Sequence, residues 1–191
     1  MHEEKQEDQH CLTSNYNELG ITSNNLHNYT VAIQYFDKAL LLDRDHNFKT
    51  TILNNKANVY RKTSDYSKAL ELYKEIRNLT PVQSTGYAQL LTNMVTTQWR
   101  QNSKFNPVPE LLQALQIRLN KKDLNGINSS YAHLTEFYLN QKTDSALFYA
   151  NRWYKLAQKI HSSEDELGAL SSLIKLKPVE QTRFYFTLYK R

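Results

Sequence analysis

Cysteine, glycine and proline are all scarce in this sequence of 191 residues, which contains one Cys, four Gly and four Pro. Because Cys11 is the only cysteine, the chain can form neither an internal disulfide bond nor a metal site built on several thiolates. Turns between strands usually draw on Gly, Pro, Asn and Asp. The scarcity of Gly and Pro therefore favours long helices, although the abundance of Asn does not exclude strands.

Long apolar runs and blocks of like charge are also missing. No stretch approaches the ~20 apolar residues of a membrane helix, and the polar start of the chain has no hydrophobic signal core. The net charge is +5, and the Lys and Arg residues are scattered along the chain near acidic residues. This distribution is not typical of a nucleic-acid-binding surface. We predict no membrane insertion by this segment, no nucleic-acid partner, a disordered lead-in or artificial chain end over 1–10, and a single domain over 11–191.

A repeat with a constant offset is the main positive signal. Ala57 follows Gly20, and Ala69 follows Ala32, at the same offset of 37 positions. Small residues suit a close crossing of two helices, where a larger side chain would cost about 1–3 kcal/mol. Since one helical hairpin cannot bury its apolar stripe alone, such hairpins stack on one another.

The spacing inside each unit resembles that of the tetratricopeptide repeat, a unit of about 34 residues with small and aromatic residues at set places. Residues at these places are Tyr16, Leu19, Gly20, Ala32, Phe36 and Ala39 in the first unit, and Leu53, Ala57, Tyr60, Ala69, Tyr73 and Pro81 in the second. The resemblance implies an all-α fold, a right-handed α-α superhelix (TPR solenoid) of about five helical hairpins. The units would lie near 13–46, 50–83, 84–120 and 128–160, with a degenerate pair over 163–191.

Turn and cap residues predict further boundaries in the later units. The two prolines of the stretch 102–109 indicate a lengthened turn, with Pro109 in the first turn of the next helix. Asp144 is the predicted N-cap of one helix. Ser163 and Glu166 form a predicted capping box at the start of another.

The end of the chain is rich in aromatic residues, with Phe184, Tyr185, Phe186 and Tyr189 in a predicted last helix. The outer face of a terminal repeat helix is normally polar. Three explanations stay open: a chain cut from a longer protein, complete inward packing, or a homodimer contact through this C-terminal aromatic helix.

A second resemblance concerns the stretches Leu134–Tyr138, Asp144–Leu147 and Glu164–Leu176, which resemble the repeat-bearing sensor regions of Bacteroidetes signalling proteins (histidine kinases). It implies an alternative function, that of a sensor or regulatory domain in a larger bacterial signal-transduction protein with an attached kinase or transcriptional output. It also implies a periplasmic location, whereas a scaffold outside such a protein would be cytoplasmic.

Motifs for catalysis are missing. The six histidines form no His-Glu-X-X-His pair, and the chain has neither a Gly-rich phosphate loop nor a Gly-X-Ser-X-Gly elbow. We therefore predict no enzyme activity, no metal and no cofactor.

The partner-binding residues follow from the tetratricopeptide resemblance, because the first helix of each hairpin lines a concave groove in that family. The positions that the resemblance places there are Asn17, Asn54, Asn58, Arg61, Gln89, Thr92, Thr96, Trp99, His133, Glu136 and Asn140. Side-chain amides both donate and accept hydrogen bonds, which suits an extended peptide. We predict a protein or peptide partner on this surface, with a merely hydrophilic groove as the alternative.

Some members of the family hold a C-terminal carboxylate with a Lys/Asn clamp. Asn55 matches one place of that clamp, but Asn17 stands where Lys is usual and Ile21 where Asn is usual. This departure argues against carboxylate binding by that clamp.

Overall fold

The computed structural model describes residues 2–176, with side chains from Asp8 onward, and its described backbone is helical throughout apart from the connecting turns. The helices are α1 (His2–Asn25), α2 (Tyr29–Leu42), α3 (Lys49–Lys62), α4 (Tyr66–Leu79), α5 (Thr85–Gln101), α6 (Val108–Lys121), α7 (Leu124–Tyr138), α8 (Thr143–Lys159) and α9 (Ser163–Leu176). The predicted all-α repeat fold is confirmed. The predicted aromatic helix at the end of the chain lies outside the described residues.

The described residues divide into two compact units. Unit 1 contains residues 2–82 and 93–105, and unit 2 contains residues 83–92 and 106–176. Helix α5 contributes residues to both units. Within residues 2–176, no helix combines the length and the apolar character that crossing a membrane requires.

Helix α1 begins at His2 and therefore includes most of the predicted lead-in over 1–10. The Gln9 side-chain amide donates to the carbonyl of Leu42 at 3.2 Å, and the ring of His10 packs on that of Phe48 with centroids 4.4 Å apart. Both side chains thus contact residues at or after the end of α2, while the predicted limits of the lead-in stay a prediction. The remaining domain limits stay predictions.

Small residues bring the helices of unit 1 close together, as the repeat pattern predicts. Ala32 and Phe36 of α2 pack with Ile52 and Val59 of α3 in a buried cluster. A Cβ atom at Gly20 would lie 2.5 Å from the Phe36 ring, closer than carbon atoms approach without a bond. Helix α1 therefore needs glycine at this position to lie against the ring.

Four helix–helix turns share one backbone arrangement, the Schellman motif. In the first, the His27 N–H donates to the Asn24 carbonyl at 3.1 Å, and the Asn28 N–H donates to the Ser23 carbonyl at 2.8 Å. The residues with positive φ in these turns are His27, Ser64, Lys122 and His161. In unit 1 the two turns lie inside the predicted hairpins, and their residues with positive φ are 37 positions apart, which is the offset of the repeat. In unit 2 they join α6 to α7 and α8 to α9, between the predicted repeats.

Two predicted helix caps were wrong, because α8 starts two residues earlier and α9 one residue earlier than predicted. Helix α8 begins at Thr143, so Asp144 lies inside its first turn, where its charge favours the helix N-terminus but caps nothing. Helix α9 begins at Ser163, and the hydroxyl of the preceding Ser162 donates to Asp165 Oδ2 at 2.6 Å. The turn is therefore two residues shorter than predicted before α8 and one residue shorter before α9.

Candidate partner-binding surface

Three of the predicted binding residues lie on one stripe of helix α3 in unit 1. Asn54, Asn58 and Arg61 follow one another at helical spacing, and all three are half-buried. The same helix buries Ile52 and Val59 in the core. Because the apolar side chains occupy the core face, these three polar side chains form a continuous polar row, called the α3 row below.

Side-chain amides link the first helices of successive hairpins in unit 1. The Asn55 amide of α3 donates to Asn17 Oδ1 of α1 at 3.0 Å. The Asn93 amide of α5 donates to Asn54 Oδ1 of α3, also at 3.0 Å. Helices α1, α3 and α5 therefore present asparagines to one another, and the two clamp positions, Asn17 and Asn55, are engaged with each other.

The second asparagine of the α3 row is oriented by a buried tyrosine. The Tyr73 hydroxyl donates to Asn58 Oδ1 at 3.0 Å. Burial raises the pKa of Tyr73 to about 12, while the charge of Arg61 and a hydrogen bond with Thr97 lower it. Tyr73 is therefore a neutral donor at ordinary pH, and it leaves the Nδ2 amide of Asn58 as the donor of that side chain.

The last member of the α3 row has a donor without an acceptor. Arg61 Nε is buried and has no hydrogen-bond partner among the described residues. A buried N–H without an acceptor costs about 1–3 kcal/mol. An acceptor group supplied by a ligand would remove that cost. Trp99, another predicted binding residue, is half-buried in the part of α5 that belongs to unit 1.

Two predicted contact residues on α5 are enclosed by the protein. The Thr92 hydroxyl donates to the Ala88 carbonyl at 2.9 Å, and the Thr96 hydroxyl donates to the Asn93 carbonyl at 3.3 Å. Each buried hydroxyl thus donates to a carbonyl of its own helix. Asn17 is also buried and acts through its bond to Asn55. We therefore leave Thr92, Thr96 and Asn17 out of the contact surface.

The remaining predicted residues belong to unit 2. Gln89 is exposed on α5. His133 Nδ1 lies 3.8 Å from Glu136 Oε2, a surface pair that contributes little to stability. Asn140 is exposed in the turn after α7, which ends at Tyr138, so it does not share the helix face for which it was predicted.

Sequence reasoning missed a buried arginine in unit 2. Arg118 of α6 is 1% exposed. Its Nη1 donates to Ser130 Oγ at 2.6 Å and to Thr92 Oγ1 at 3.2 Å, and its Nη2 donates to Gln89 Oε1 at 3.0 Å. Burial lowers the pKa of this guanidinium, and the charge of Asp123 raises it. One cation thus joins α5, α6 and α7 through neutral acceptors.

No metal site accompanies these groups in the described part of the chain. Residues 2–176 bring together no group of three or more His, Cys, Asp and Glu side chains that could hold an ion. Three of the six histidines, His27, His46 and His161, instead occupy turn positions with positive φ. Histidine adopts that conformation more readily than most residues with a Cβ.

Stacked helical hairpins with small residues at their crossings and one recurrent turn define an α-helical repeat protein. The sequence model of the tetratricopeptide repeat matches residues 11–81. The match supports a relation of residues 11–81 to the tetratricopeptide-repeat family, whose repeats are in general protein–protein interaction scaffolds.

The fold also resembles that in the crystal structure of BtubC (BKLC) from P. vanneervenii. The TM-score is 0.62 at 16% sequence identity, over 95% of this chain and 87% of that one. At this identity the likeness concerns the fold alone. No curated protein matches the chain. The resemblance to Bacteroidetes sensor regions, and the location that it implies, stay predictions.

Proposed function

We propose that the chain is a non-enzymatic scaffold whose α3 row binds an extended segment of a partner protein. The observation that carries this proposal is that two side-chain amides use their oxygen, but not their nitrogen, in hydrogen bonds within the protein. Asn54 and Asn58 each use Oδ1 inside unit 1, and the Nδ2 of each has no acceptor among the described residues. Two donors of fixed orientation therefore stand on one polar row, which reduces the entropy lost on binding.

The spacing of these two donors suits the backbone of an extended peptide. Four residues of an α-helix rise about 6 Å along the axis. In an extended chain, carbonyl groups on the same side recur every second residue, or about 6.6 Å. Asn54 and Asn58 can therefore donate to alternate carbonyls of one peptide, while the half-buried Arg61 lies at the end of the same row. Backbone recognition of this kind tolerates variation in the side chains of the partner.

The test removes the two donors without disturbing the internal bonds. In the Asn54→Asp/Asn58→Asp variant, a carboxylate oxygen can still accept from Asn93 and Tyr73, but no N–H remains for a peptide carbonyl. Thr51→Asp/Asn78→Asp, at two exposed positions, adds the same charge elsewhere in unit 1. The measurement is quantitative mass spectrometry of proteins captured by the immobilised chain from an extract of the native organism.

We expect capture of the specific partners to fall about tenfold or more in the donor variant, since two hydrogen bonds of about 1 kcal/mol each are lost. The control variant should capture the same partners as the original chain, and circular dichroism should show equal helicity in all three proteins. Equal capture by the donor variant and the control would contradict the role of the α3 row.

A further inference from the structure

The guanidinium of Arg118 in unit 2 is only partly satisfied. Its Nη1 donates to two buried hydroxyls, those of Thr92 and Ser130, which fix the plane of the group. Its Nη2 donates to the side-chain carbonyl of Gln89. Its Nε is buried and has no acceptor among the described residues. The incompletely satisfied edge is therefore the one formed by Nε and Nη2.

That edge can bind a carboxylate through two parallel hydrogen bonds, the geometry in which arginine binds carboxylates most strongly. At present one neutral oxygen, Gln89 Oε1, occupies it. No described carboxylate makes an ion pair with Arg118. Asp123, the acidic residue whose charge acts on it, is engaged as the N-cap of α7 through the Gly126 N–H at 2.9 Å.

An arginine is always charged, and a buried charge without an opposite charge is costly. A carboxylate on the Nε–Nη2 edge would supply the missing charge and the missing acceptor together. Of the three side chains that accept from Arg118, Gln89 is exposed, whereas Thr92 and Ser130 are buried. The carboxamide of Gln89 also has nearly the shape of a carboxylate, so the space that it vacates on rotating outward fits one.

We propose that Arg118 is the centre of a carboxylate-binding site in unit 2, which receives an Asp or Glu side chain of a protein partner and which Gln89 occupies when no partner is bound. The site uses none of the residues of the α3 row. It can therefore be tested whether or not that row binds a peptide.

The first experiment replaces the occluding side chain with a small ligand. Gln89→Ala removes the atoms of one acetamide molecule, so acetate and acetamide are matched probes that differ in charge. The measurement is the rise in melting temperature as each is titrated at constant ionic strength. We expect acetate to bind the variant about fivefold or more tightly than acetamide, because hydrogen bonds to a charged acceptor are the stronger ones.

Two controls make this result specific. In Gln89→Ala/Arg118→Met the preference for acetate should vanish, and in the original chain both probes should have little effect because Gln89 occupies the edge. Equal stabilisation of Gln89→Ala by acetate and acetamide would overturn the proposal and leave Arg118 with a purely structural role. Gln89 is exposed, so its replacement should leave the fold intact, which circular dichroism checks directly.

The second experiment identifies the source of the carboxylate. A random peptide library is selected against the original chain and against Gln89→Glu, whose own carboxylate should occupy the edge. We expect acidic residues to be enriched among peptides bound by the original chain and not among those bound by Gln89→Glu. Stabilisation of the original chain by free citrate or succinate, without enrichment of acidic peptides, would overturn the assignment to a protein partner.

Discussion

The four Schellman turns divide evenly between unit 1 and unit 2, but the interiors next to them differ in kind. In unit 1 the crossings are filled by small residues and rings, such as Ala32 and Phe36, with Gly20 leaving space for the ring. In unit 2 the residues buried beside the α6–α7 turn include Arg118 and Asn128. The same turn geometry therefore occurs beside rings and small residues in unit 1 and, at the α6–α7 turn of unit 2, beside a buried cation.

This difference accounts for where the family resemblance ends. The tetratricopeptide match covers residues 11–81, in which turns, small residues and aromatic residues all keep one offset. In unit 2 the turns fall between the predicted repeats, and Arg118 occupies a core position. Structural similarity to a repeat protein nevertheless extends over 95% of the chain. Helix packing is therefore retained where the characteristic residues are not.

The largest effect should come from removing a ring from the packed interior of unit 1. Phe36→Ala removes a fully buried side chain and should lower the free energy of unfolding by about 3–5 kcal/mol. Phe148→Ala in unit 2 is the matched control, since that ring is 49% exposed and lies under the Arg152 guanidinium. It should cost at most about 1 kcal/mol. Urea unfolding followed by circular dichroism measures both, and similar losses would contradict the comparison.

A smaller effect should appear at alkaline pH, through the tyrosine that orients the α3 row. The pKa of Tyr73 is about 12 in the fold against an ordinary 10.0, so the folded chain holds this proton more tightly. The stability that this provides is fully present below pH 10 and is lost as the pH rises through about 12.

Tyr73→Phe removes the ionising group and isolates its contribution. Between pH 8 and about pH 11.5, the original chain should lose about 2 kcal/mol more unfolding free energy than the variant. At pH 8 the variant should be less stable by about 1 kcal/mol, because it lacks the hydrogen bond to Asn58. Parallel pH dependences of the two proteins would show that Tyr73 is not shielded from water as the structure indicates.

The sequence predicted the fold of unit 1 better than its surface chemistry. Offsets between Gly20, Ala32 and Ala57 define the hairpins of unit 1, and in unit 2 Pro109 lies in the first turn of α6 as predicted. Such patterns report local geometry, which short segments determine. The non-glycine turn residues, such as His27, carry no comparable signal, because glycine usually occupies that position.

The candidate site was harder to predict because exposure depends on contacts between distant residues. Periodicity placed Asn54 and Asn58 on one helix face, but their partners Asn93 and Tyr73 follow from tertiary packing. Arg118 did carry a sequence signal. It continues the buried stripe of α6 at seven positions from Leu111, a place where a charged residue is unusual.

The smallest change in stability should come from the buried cation of unit 2. Arg118→Met keeps a long side chain and removes the charge. The two hydroxyls that accept from Arg118 have acceptors of their own: Thr92 donates to the Ala88 carbonyl and Ser130 to the Gly126 carbonyl. Neither is left as an unsatisfied donor, and the unpartnered Nε disappears.

We therefore expect Arg118→Met to change the unfolding free energy by less than about 1 kcal/mol in either direction, as apolar replacements of buried charges often do. The measurement is urea unfolding beside Arg118→Ala, which leaves a cavity and should cost about 2–5 kcal/mol. A loss for Met as large as that for Ala would show that the charge itself holds α5, α6 and α7 together. A near-neutral result, together with the loss of acetate binding in the Gln89→Ala background, would show that Arg118 serves recognition rather than the stability of unit 2. Phe36 of unit 1, in contrast, would contribute to stability through packing.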